Sequence, residues 1–249
     1  MTQAFCKVSI APVRSEGKDQ AEIVTQLLFG ELVSINEINA PWAKITTVSD
    51  NYSGYIDHKH VEEINAENAK KHIQNSSYLI SRETEISTSN GNQRVCRGSF
   101  FPVNELEFEI GTVKFRQNSI VSDTNHSIIS LANDYINTPY LWGGKSPFGI
   151  DCSGITQVIY SLNGIKLPRD ASQQVQLGVT ISFEEIAPGD LAFFENTKGK
   201  ITHVGILDGK GNIIHAAGQV RKDPFSREGI RHSKTKELTH VLSCIKRPY

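Results

Sequence analysis

The sequence lacks several features that would assign it to a protein class at once. It has four cysteines among 249 residues, at positions 6, 96, 152 and 244, and none are spaced as Cys-x-x-Cys. Such scattered cysteines argue against a zinc ribbon and against a dense disulfide framework. No apolar run reaches the roughly 20 residues that a membrane-spanning helix needs. We therefore expect no membrane span.

The chain also lacks an excess of either charge. Its 26 lysines and arginines balance 27 aspartates and glutamates, which gives a net charge of −1. Without a strong positive field, a nucleic-acid partner is not expected. The first ten residues hold one lysine and no apolar core of a signal peptide. We expect a cytoplasmic protein, unless an export signal has been removed.

Turn residues divide the first half of the sequence into short stretches with high strand propensity. These stretches are 22–29, 31–35, 42–48 and 52–56. Their close spacing predicts a small barrel or sandwich over residues 1–64. A polar helix is predicted at 61–74, followed by a second small β unit that ends near residue 122. The polar residues 119–127 are expected to form a linker.

The pattern changes in the second half of the sequence. Apolar residues recur at helical spacing over 128–136, and a second helix follows the glycine-rich turn at 142–144. Three strands are predicted after residue 190. Helices followed by antiparallel strands are typical of an α+β domain, which we place at 123–249.

Cys152 lies where the second of these helices is predicted to begin. Apolar residues over 155–162 form one helical face that we expect to be buried, and Cys152 precedes that face between two polar neighbours. Asp151 or Ser153 is expected to cap the first turn. A thiol at a helix N-terminus meets the positive end of the helix dipole, which favours the thiolate. Cys152 is therefore a candidate nucleophile.

Two of the eight histidines are candidates for the base that such a nucleophile needs. His203 and His215 lie in predicted strands on either side of the turn 208–212. A register that pairs Leu207 with Gly211 also pairs these histidines on one face of the hairpin. We assign His203 as the base and His215 as the residue that orients it. The other histidines, expected to face solvent, are His58, His60, His72, His126, His232 and His240.

The same three residues could instead bind zinc. One cysteine and two histidines would leave a fourth coordination position open for water. Against this, Cys152 has no second ligand three or four residues along its helix. We expect no metal and no cofactor, although the residues alone leave both uses open.

Six short motifs follow one another in the second half of the sequence. They are TPYLWGG from residue 138, GIDCSG from 149, LPRD from 167, PGDL from 188, THVG from 202 and IHA from 214. In this order they resemble the NlpC/P60 family of cell-wall peptidases, over about residues 125–249. The resemblance implies a papain-like α+β catalytic domain with Cys152 as nucleophile, His203 as base and His215 as the third catalytic residue.

The first half of the chain resembles bacterial SH3 (SH3b) domains, of which this architecture usually has two. That resemblance implies one small all-β SH3b barrel over 1–64, and a linker helix with an SH3b-like barrel over 65–122. The whole arrangement is similar to γ-D-glutamyl-L-diamino acid endopeptidases. It implies hydrolysis of the bond between D-glutamate and the diamino acid of murein tri- and tetrapeptides with a free N-terminal L-alanine, by a monomer that serves peptide recycling.

The resemblance implies further site residues. Tyr140 would stabilise the oxyanion together with the Cys152 amide. In the first SH3b domain, Tyr52 and Glu22 are candidates for recognising the substrate's amine. Some relatives have serine or threonine where this chain has Ala171, so a hydrogen bond of the pocket is expected to be lost or shifted. The residues expected to line the pocket, with Asp151 facing the substrate's ammonium group, are Trp142, Asp151, Ser153 and Asp170.

Two other functions remain open at this point. One is a wall-binding protein in which the SH3b domains act and the catalytic domain has decayed, although Cys152, His203 and His215 are all intact. The other keeps the fold and changes the reaction to that of a murein amidase or acyltransferase. The preference for lysine or diaminopimelate at the diamino position also remains open.

Overall fold

The computed structural model describes residues 2–120 and 126–248. It divides into two compact units, Met1–Thr124 with Lys145–Pro147, and Asn125–Gly144 with Phe148–Tyr249, called unit 1 and unit 2 below. The linker predicted at 119–127 falls largely outside the described residues. Within them, no helix combines the length and the apolar character that crossing a membrane requires.

Unit 1 begins with a seven-stranded sheet. Its strands are β1 (Thr2–Cys6), β2 (Ile10–Arg14), β3 (Ile23–Leu28), β4 (Leu32–Asn39), β5 (Trp42–Thr47), β6 (Ser53–Asp57) and β7 (Val61–Ile64). They lie in the order β3-β2-β6-β5-β4-β1-β7. Side chains that alternate along the strands, such as Val13, Val33 and Ile45, enter a shared apolar core.

The helix predicted at 61–74 begins later than expected. Val61–Ile64 pairs with β1 as a strand, after a 3-10 turn at His58–His60. Helix α1 spans Ala66–Asn75, and the side chain of Asn65 caps it by accepting from the Asn68 N–H at 2.8 Å. One prediction on this helix was wrong. His72 is buried rather than solvent-facing, and its Nε2 donates to the carbonyl oxygen of Gly30 at 2.8 Å.

The strands after α1 form two smaller sheets that share a core with the first sheet. These strands are β8 (Ser77–Tyr78), β9 (Glu83–Thr88), β10 (Gly91–Cys96), β11 (Phe100–Phe101), β12 (Glu107–Ile110) and β13 (Val113–Gln117). Four strands lie in the order β10-β9-β13-β12, and β8 pairs with β11. Phe29, which follows β3, packs edge-on against Phe115 of β13, with ring centroids 5.2 Å apart. The two parts of unit 1 are therefore not packed independently.

Unit 2 combines short helices with a second seven-stranded sheet. The helices are α2 (Ile128–Asn133), α3 (Cys152–Leu162) and α4 (Ala171–Gln174), with a 3-10 turn at Phe183–Glu185. Two short strands precede α3: β14 (Lys145–Ser146), in the segment grouped with unit 1, and β15 (Gly149–Ile150). The later strands are β16 (Val179–Thr180), β17 (Leu191–Glu195), β18 (Ile201–Leu207), β19 (Asn212–Ala217), β20 (Gln219–Ser226), β21 (Gly229–Arg231) and β22 (Leu238–Arg247).

Helix α3 is the central element of unit 2. The sheet runs in the order β16-β22-β17-β18-β19-β20-β21, and α3 packs on β18 and β19. Every residue from 152 to 160 is buried, whereas the sequence pattern predicted one buried face. A helix that is enclosed on all sides has a mostly apolar or small-residue surface all round, and Gly154 and Thr156 supply the small residues here. The N-terminus of α3 therefore lies in the interior.

The hairpin β18–β19 has a different register from the predicted one. Leu207 pairs with Ile213 and Ile206 with Ile214, so the predicted pairing of Leu207 with Gly211 was wrong by two residues. Because strand side chains alternate with a period of two, this difference keeps both histidines on the same face. It also places Gly205 opposite His215, where a Cβ on Gly205 would lie 2.9 Å from the His215 Cβ.

Candidate active site

Cys152 is the first residue of α3, and Asp151, one of the two predicted caps, is the residue that caps that helix. The carboxylate of Asp151 accepts from the Gly154 N–H at 2.7 Å. The thiol is buried and lies beside the backbone N–H of Val204, the residue that follows His203 in β18. Helix α3 and strand β18 thus bring the predicted nucleophile to the strand that carries the predicted base.

A buried arginine fixes the turn before the nucleophile. The guanidinium of Arg169 binds both oxygens of Asp151, at 2.6 and 3.0 Å, and the hydroxyl of Ser153 at 2.9 Å. The Asp151 carboxylate also accepts from the Gly143 N–H at 2.8 Å. A Cβ on Gly154 would lie only 2.2 Å from the Gly144 carbonyl oxygen, so the packing requires glycine there. Three of the motifs seen in the sequence are therefore bound to one another at this point.

Two histidines and an aspartate form a hydrogen-bonded chain across strands β18, β19 and β20. His203 Nε2 lies 2.8 Å from His215 Nδ1, and His215 Nε2 lies 3.0 Å from an oxygen of Asp223. All three side chains are buried. The Asp223 carboxylate also accepts from Arg221 Nε at 2.7 Å and from the Ser233 N–H at 2.9 Å. We call the chain from Asp223 through His215 to His203 the relay.

The relay determines where each imidazole proton lies. Hydrogen bonds to His215 and Ser233 outweigh the effect of burial and hold the pKa of Asp223 below its usual value, so this group is a carboxylate and only accepts. His215 Nε2 must then carry a proton, which leaves Nδ1 of neutral His215 as an acceptor. His203 Nε2 therefore carries a proton and donates it to His215 Nδ1. The free lone pair of the His203 ring is on Nδ1. That nitrogen can take the proton of a thiol.

Burial determines the charge of the resting nucleophile and base. It raises the pKa of the Cys152 thiol to about 12, with the Asp151 charge acting in the same direction and the Val204 N–H opposing it. Burial and the neighbouring imidazoles hold the pKa of His203 well below 6.5. Both shifts favour a neutral thiol and a neutral imidazole at rest. Desolvation of a buried charge thus opposes the thiolate that the helix dipole favours.

Tyr140 has the character that an oxyanion donor requires. Burial is the largest of the effects that raise the pKa of its phenol to about 12, and the negative charge of Asp151 acts in the same direction. The hydroxyl therefore keeps its proton at neutral pH and can donate. The Tyr140 N–H donates to the Gly218 carbonyl at 3.0 Å, which fixes this residue beside the turn after β19.

The remaining predicted site residues differ in exposure and in partners. Trp142 is 59% exposed, whereas Ser153 is buried among the partners of Arg169. Asp170 is the N-cap of α4, and its N–H donates to the Gln173 side chain at 3.2 Å. Ala171 is buried as the first residue of α4. Their roles toward a substrate stay predictions, as does the pairing of Asp151 with an ammonium group.

The two candidates from the first half of the sequence belong to unit 1. The Tyr52 N–H donates to the Thr47 hydroxyl at 2.8 Å, and its side chain is half-buried. Glu22 is exposed immediately before β3. Their proposed contacts with a substrate remain predictions.

Sequence reasoning missed three residues of this site. Arg169 stood in a quoted motif without an assigned role, and Asp223 was not singled out. A signal for Asp223 was available. Arg221 and Asp223 are two residues apart in β20, so their side chains lie on the same face of the sheet, and Arg221 pairs with His215 of β19. His240 was expected to face solvent, but its ring stacks on His203 with centroids 4.3 Å apart. His240 belongs to β22, which lies within the sheet, and this position brings its ring against the relay.

Known proteins resemble the chain in both units. Residues 137–239 match the NlpC/P60 family, and residues 13–61 match the bacterial dipeptidyl-peptidase Sh3 domain. The Gamma-D-glutamyl-L-lysine dipeptidyl-peptidase of Bacillus subtilis is 32% identical, over 89% of this chain and 81% of that protein. The protein of the same name from Bacillus cereus is 40% identical, over 43% of this chain and 32% of its own length. A crystal structure of an NlpC/P60 family protein from Bacillus cereus has a TM-score of 0.81 at 20% identity, and the match covers 98% of this chain and 99% of that one.

Replacing Arg169 with alanine should destabilise the protein strongly. The substitution leaves the buried Asp151 carboxylate without its guanidinium, and breaking a buried ion pair costs about 3–5 kcal/mol of unfolding free energy. Urea denaturation followed by circular dichroism measures the loss. Arg231→Ala is the matched control, because it removes a half-exposed arginine whose partner Glu228 is also exposed, and it should cost far less. Equal losses in the two variants would contradict the assigned role of Arg169.

Removing the acceptor of the relay should lower kcat with little change in KM. Asp223→Ala leaves the His215 Nε2 proton without a partner, so the proton positions are no longer fixed. We expect a loss on the order of 10³-fold in kcat, as for a broken catalytic triad. Asp223→Asn should retain more activity, because its amide oxygen can still accept from His215.

The control for this pair of variants is Asp208→Ala. Asp208 is also a buried aspartate of unit 2, and it binds Lys222 at 2.7 Å. Its loss should lower stability and leave kcat close to that of the wild type. If Asp223→Ala and Asp208→Ala lost kcat equally, Asp223 would be a structural residue and no more.

The rate should depend on pH in the way that a neutral thiol and a neutral imidazole require. The base must be unprotonated, and the pKa of His203 is held well below 6.5. The acid limb of kcat/KM should therefore lie below pH 6.5, and a plateau should continue through the range where an ordinary thiol titrates, near pH 8.5. A pH–rate profile from about pH 4.5 to 10 measures both limits. A fall in rate near pH 8.5 would instead indicate a preformed thiolate–imidazolium pair.

Proposed function

We propose that this chain, which belongs to the NlpC/P60 family of cysteine peptidases, hydrolyses the γ-D-glutamyl–L-diamino acid bond of murein stem peptides that carry a free N-terminal L-alanine. The observation that carries the proposal is the relay, which leaves the lone pair of His203 on Nδ1, together with Cys152 beside the next residue of the same strand. The coarser conclusion, a peptidase related to cell-wall enzymes, rests on the family itself.

The proposed reaction begins with transfer of the Cys152 proton to His203 Nδ1. The sulfur attacks the γ-carbonyl carbon of D-glutamate, and the carbonyl oxygen becomes an oxyanion. The Cys152 N–H and the Tyr140 hydroxyl are the proposed donors to that oxyanion. His203 then gives its proton to the departing amine of the diamino acid, which leaves a thioester. Water, deprotonated by His203, releases the acyl group and restores the thiol.

The relay supports the charged step of this reaction. When His203 takes the thiol proton, a positive charge forms in a buried site. His215 accepts from the imidazolium through Nδ1, and its own Nε2 proton points to the Asp223 carboxylate. That negative charge stabilises the imidazolium through the intervening ring, as the aspartate of a Ser-His-Asp triad does directly.

The requirement for a free amine is proposed from the relatives. A dipeptidyl-peptidase, the activity in the name of the Bacillus subtilis relative, releases two residues from an N-terminus and must therefore recognise the terminal amine. We propose that Asp151, Ser153 and Asp170 form the polar side of that pocket and Trp142 its apolar side. Tyr52 and Glu22 are the proposed contributors from unit 1.

We extend the proposal to the organisation of unit 1. The family match covers residues 13–61 only. Residues 65–122 contain α1 and a four-stranded antiparallel sheet, and we propose that this part is a second SH3b-like domain. This part shares an apolar core with the first sheet, in which Phe29 packs against Phe115. An independent wall-binding module would have a core of its own.

Mass spectrometry of L-Ala-γ-D-Glu-L-Lys incubated with the protein tests the function. Wild type should release free lysine and the dipeptide L-Ala-γ-D-Glu. Cys152→Ala should release neither, whereas Cys244→Ala, which removes a half-exposed cysteine of the same unit, should act as wild type does. Acetylation of the peptide's N-terminus should abolish cleavage. A parallel peptide with diaminopimelate in place of lysine measures the preference at that position.

Other products would overturn parts of the proposal. Cleavage of the acetylated peptide would contradict the free-amine requirement. Transfer of the acyl group to an added amine in place of water would indicate an acyltransferase. No cleavage, with retention of the protein on intact murein sacculi, would favour a wall-binding protein.

A further inference from the structure

His240 adds a third imidazole to the two of the relay. It lies on β22, its ring centroid is 4.3 Å from that of His203, and the centroid of His215 is 5.6 Å away. One ring nitrogen from each of the three histidines lies within 4.8 Å of the other two. Within residues 2–120 and 126–248, no other group of three or more histidine, cysteine or acidic side chains has its ligand atoms this close together.

We propose that His203, His215 and His240 form a binding site for a divalent transition-metal ion such as Zn²⁺, and that the bound ion reversibly inhibits the enzyme. Imidazole nitrogen is a preferred ligand for zinc, copper and nickel. Three histidines with an open fourth position make a known type of zinc site. The binding stands on the geometry alone, whereas the inhibition rests on the proposed function.

The three nitrogens need only small movements to bind one ion. Tetrahedral zinc with Zn–N distances of about 2.0–2.1 Å places its nitrogen ligands roughly 3.3 Å apart. The His203 and His215 nitrogens, now 2.8 Å apart, would separate by about half an ångström. His240 is the least buried of the three, so its ring has the most room to turn toward the ion.

Ring nitrogens of two of these histidines already have partners of the kind that metal-binding histidines use. His215 Nε2 donates to the Asp223 carboxylate at 3.0 Å, and His240 Nδ1 lies 2.9 Å from the Thr239 hydroxyl. Carboxylates and hydroxyls in this position orient a metal ligand and increase its basicity. The Asp223 charge also offsets part of the charge of the ion, although Arg221, which binds the same carboxylate, opposes it.

Metal binding at these atoms would remove the base from the reaction. The ion would take the place of the proton that His203 Nε2 now donates to His215 Nδ1. A neutral imidazole that binds a metal through one nitrogen keeps its single proton on the other nitrogen. His203 would therefore carry its proton on Nδ1, and no lone pair would remain to accept the proton of Cys152.

Isothermal titration calorimetry of the tag-free Cys152→Ala protein with ZnCl₂ tests the site without the thiol. We expect one tight site per chain, weakened at least about tenfold when His240→Phe is added. Adding His58→Phe in its place, which removes a histidine of unit 1, should leave the affinity unchanged. Equal affinities with and without His240→Phe, or no binding at all, would overturn the proposal.

Nitrogen-15 NMR of the histidine rings gives a second readout that does not depend on a substituted His240. In the Cys152→Ala protein, zinc should shift the ring resonances of His203, His215 and His240 together. Shifts confined to other histidines would overturn the site. For wild type, zinc should inhibit peptide cleavage and EDTA should restore it. Binding without cleavage of any peptide would refute the proposed function and leave the site in place.

Discussion

The proton positions in the site all depend on one constraint, which is that the Asp223 carboxylate can only accept hydrogen bonds. It accepts from His215, from Arg221 and from the Ser233 N–H. The proton on His215 Nε2 follows from this, and the acceptor character of its Nδ1 follows in turn. The free lone pair on His203 is the third consequence. Because these groups are buried, a reversed orientation would leave the His215 Nε2 lone pair facing the Asp223 carboxylate, an acceptor against an acceptor, and an unsatisfied buried polar group costs about 1–3 kcal/mol.

The hairpin that carries the histidines shows how much of this site could be predicted from the sequence. Alternation along the strands was enough to place His203 and His215 on one face. The register was wrong by two residues, because the turn from Asp208 to Asn212 closes differently: the Asp208 N–H donates to the Asn212 carbonyl at 3.0 Å. A difference of one residue would have moved one histidine to the opposite face. A difference of two makes the pair diagonal and puts Gly205 opposite His215, where a Cβ would lie only 2.9 Å from the His215 Cβ.

The partners of the predicted residues were harder to find from sequence. Asp151 was expected at the helix cap because capping is local, within three residues. Arg169 lies 18 residues from Asp151 and His240 lies 37 residues from His203, so only the completed fold brings them together. The all-round burial of α3 is a similar case. A sequence pattern identifies the apolar face of a helix, but small residues such as Gly154 and Thr156 do not reveal that other elements cover the opposite side.

The burial that sequence could not reveal also changes which residues control the nucleophile. A helix N-terminus and a solvent-accessible thiol would give a thiolate at rest, and the relay would then have only a minor part in activating Cys152. In this structure burial raises the pKa of the thiol and lowers that of the His203 imidazole, which favours the neutral form of both groups. In the proposed reaction, the thiol then loses its proton during attack, to the nitrogen on which His203 has its lone pair. On this proposal, the activity of Cys152 depends on the direction of two hydrogen bonds in the neighbouring strands more than on the dipole of its own helix.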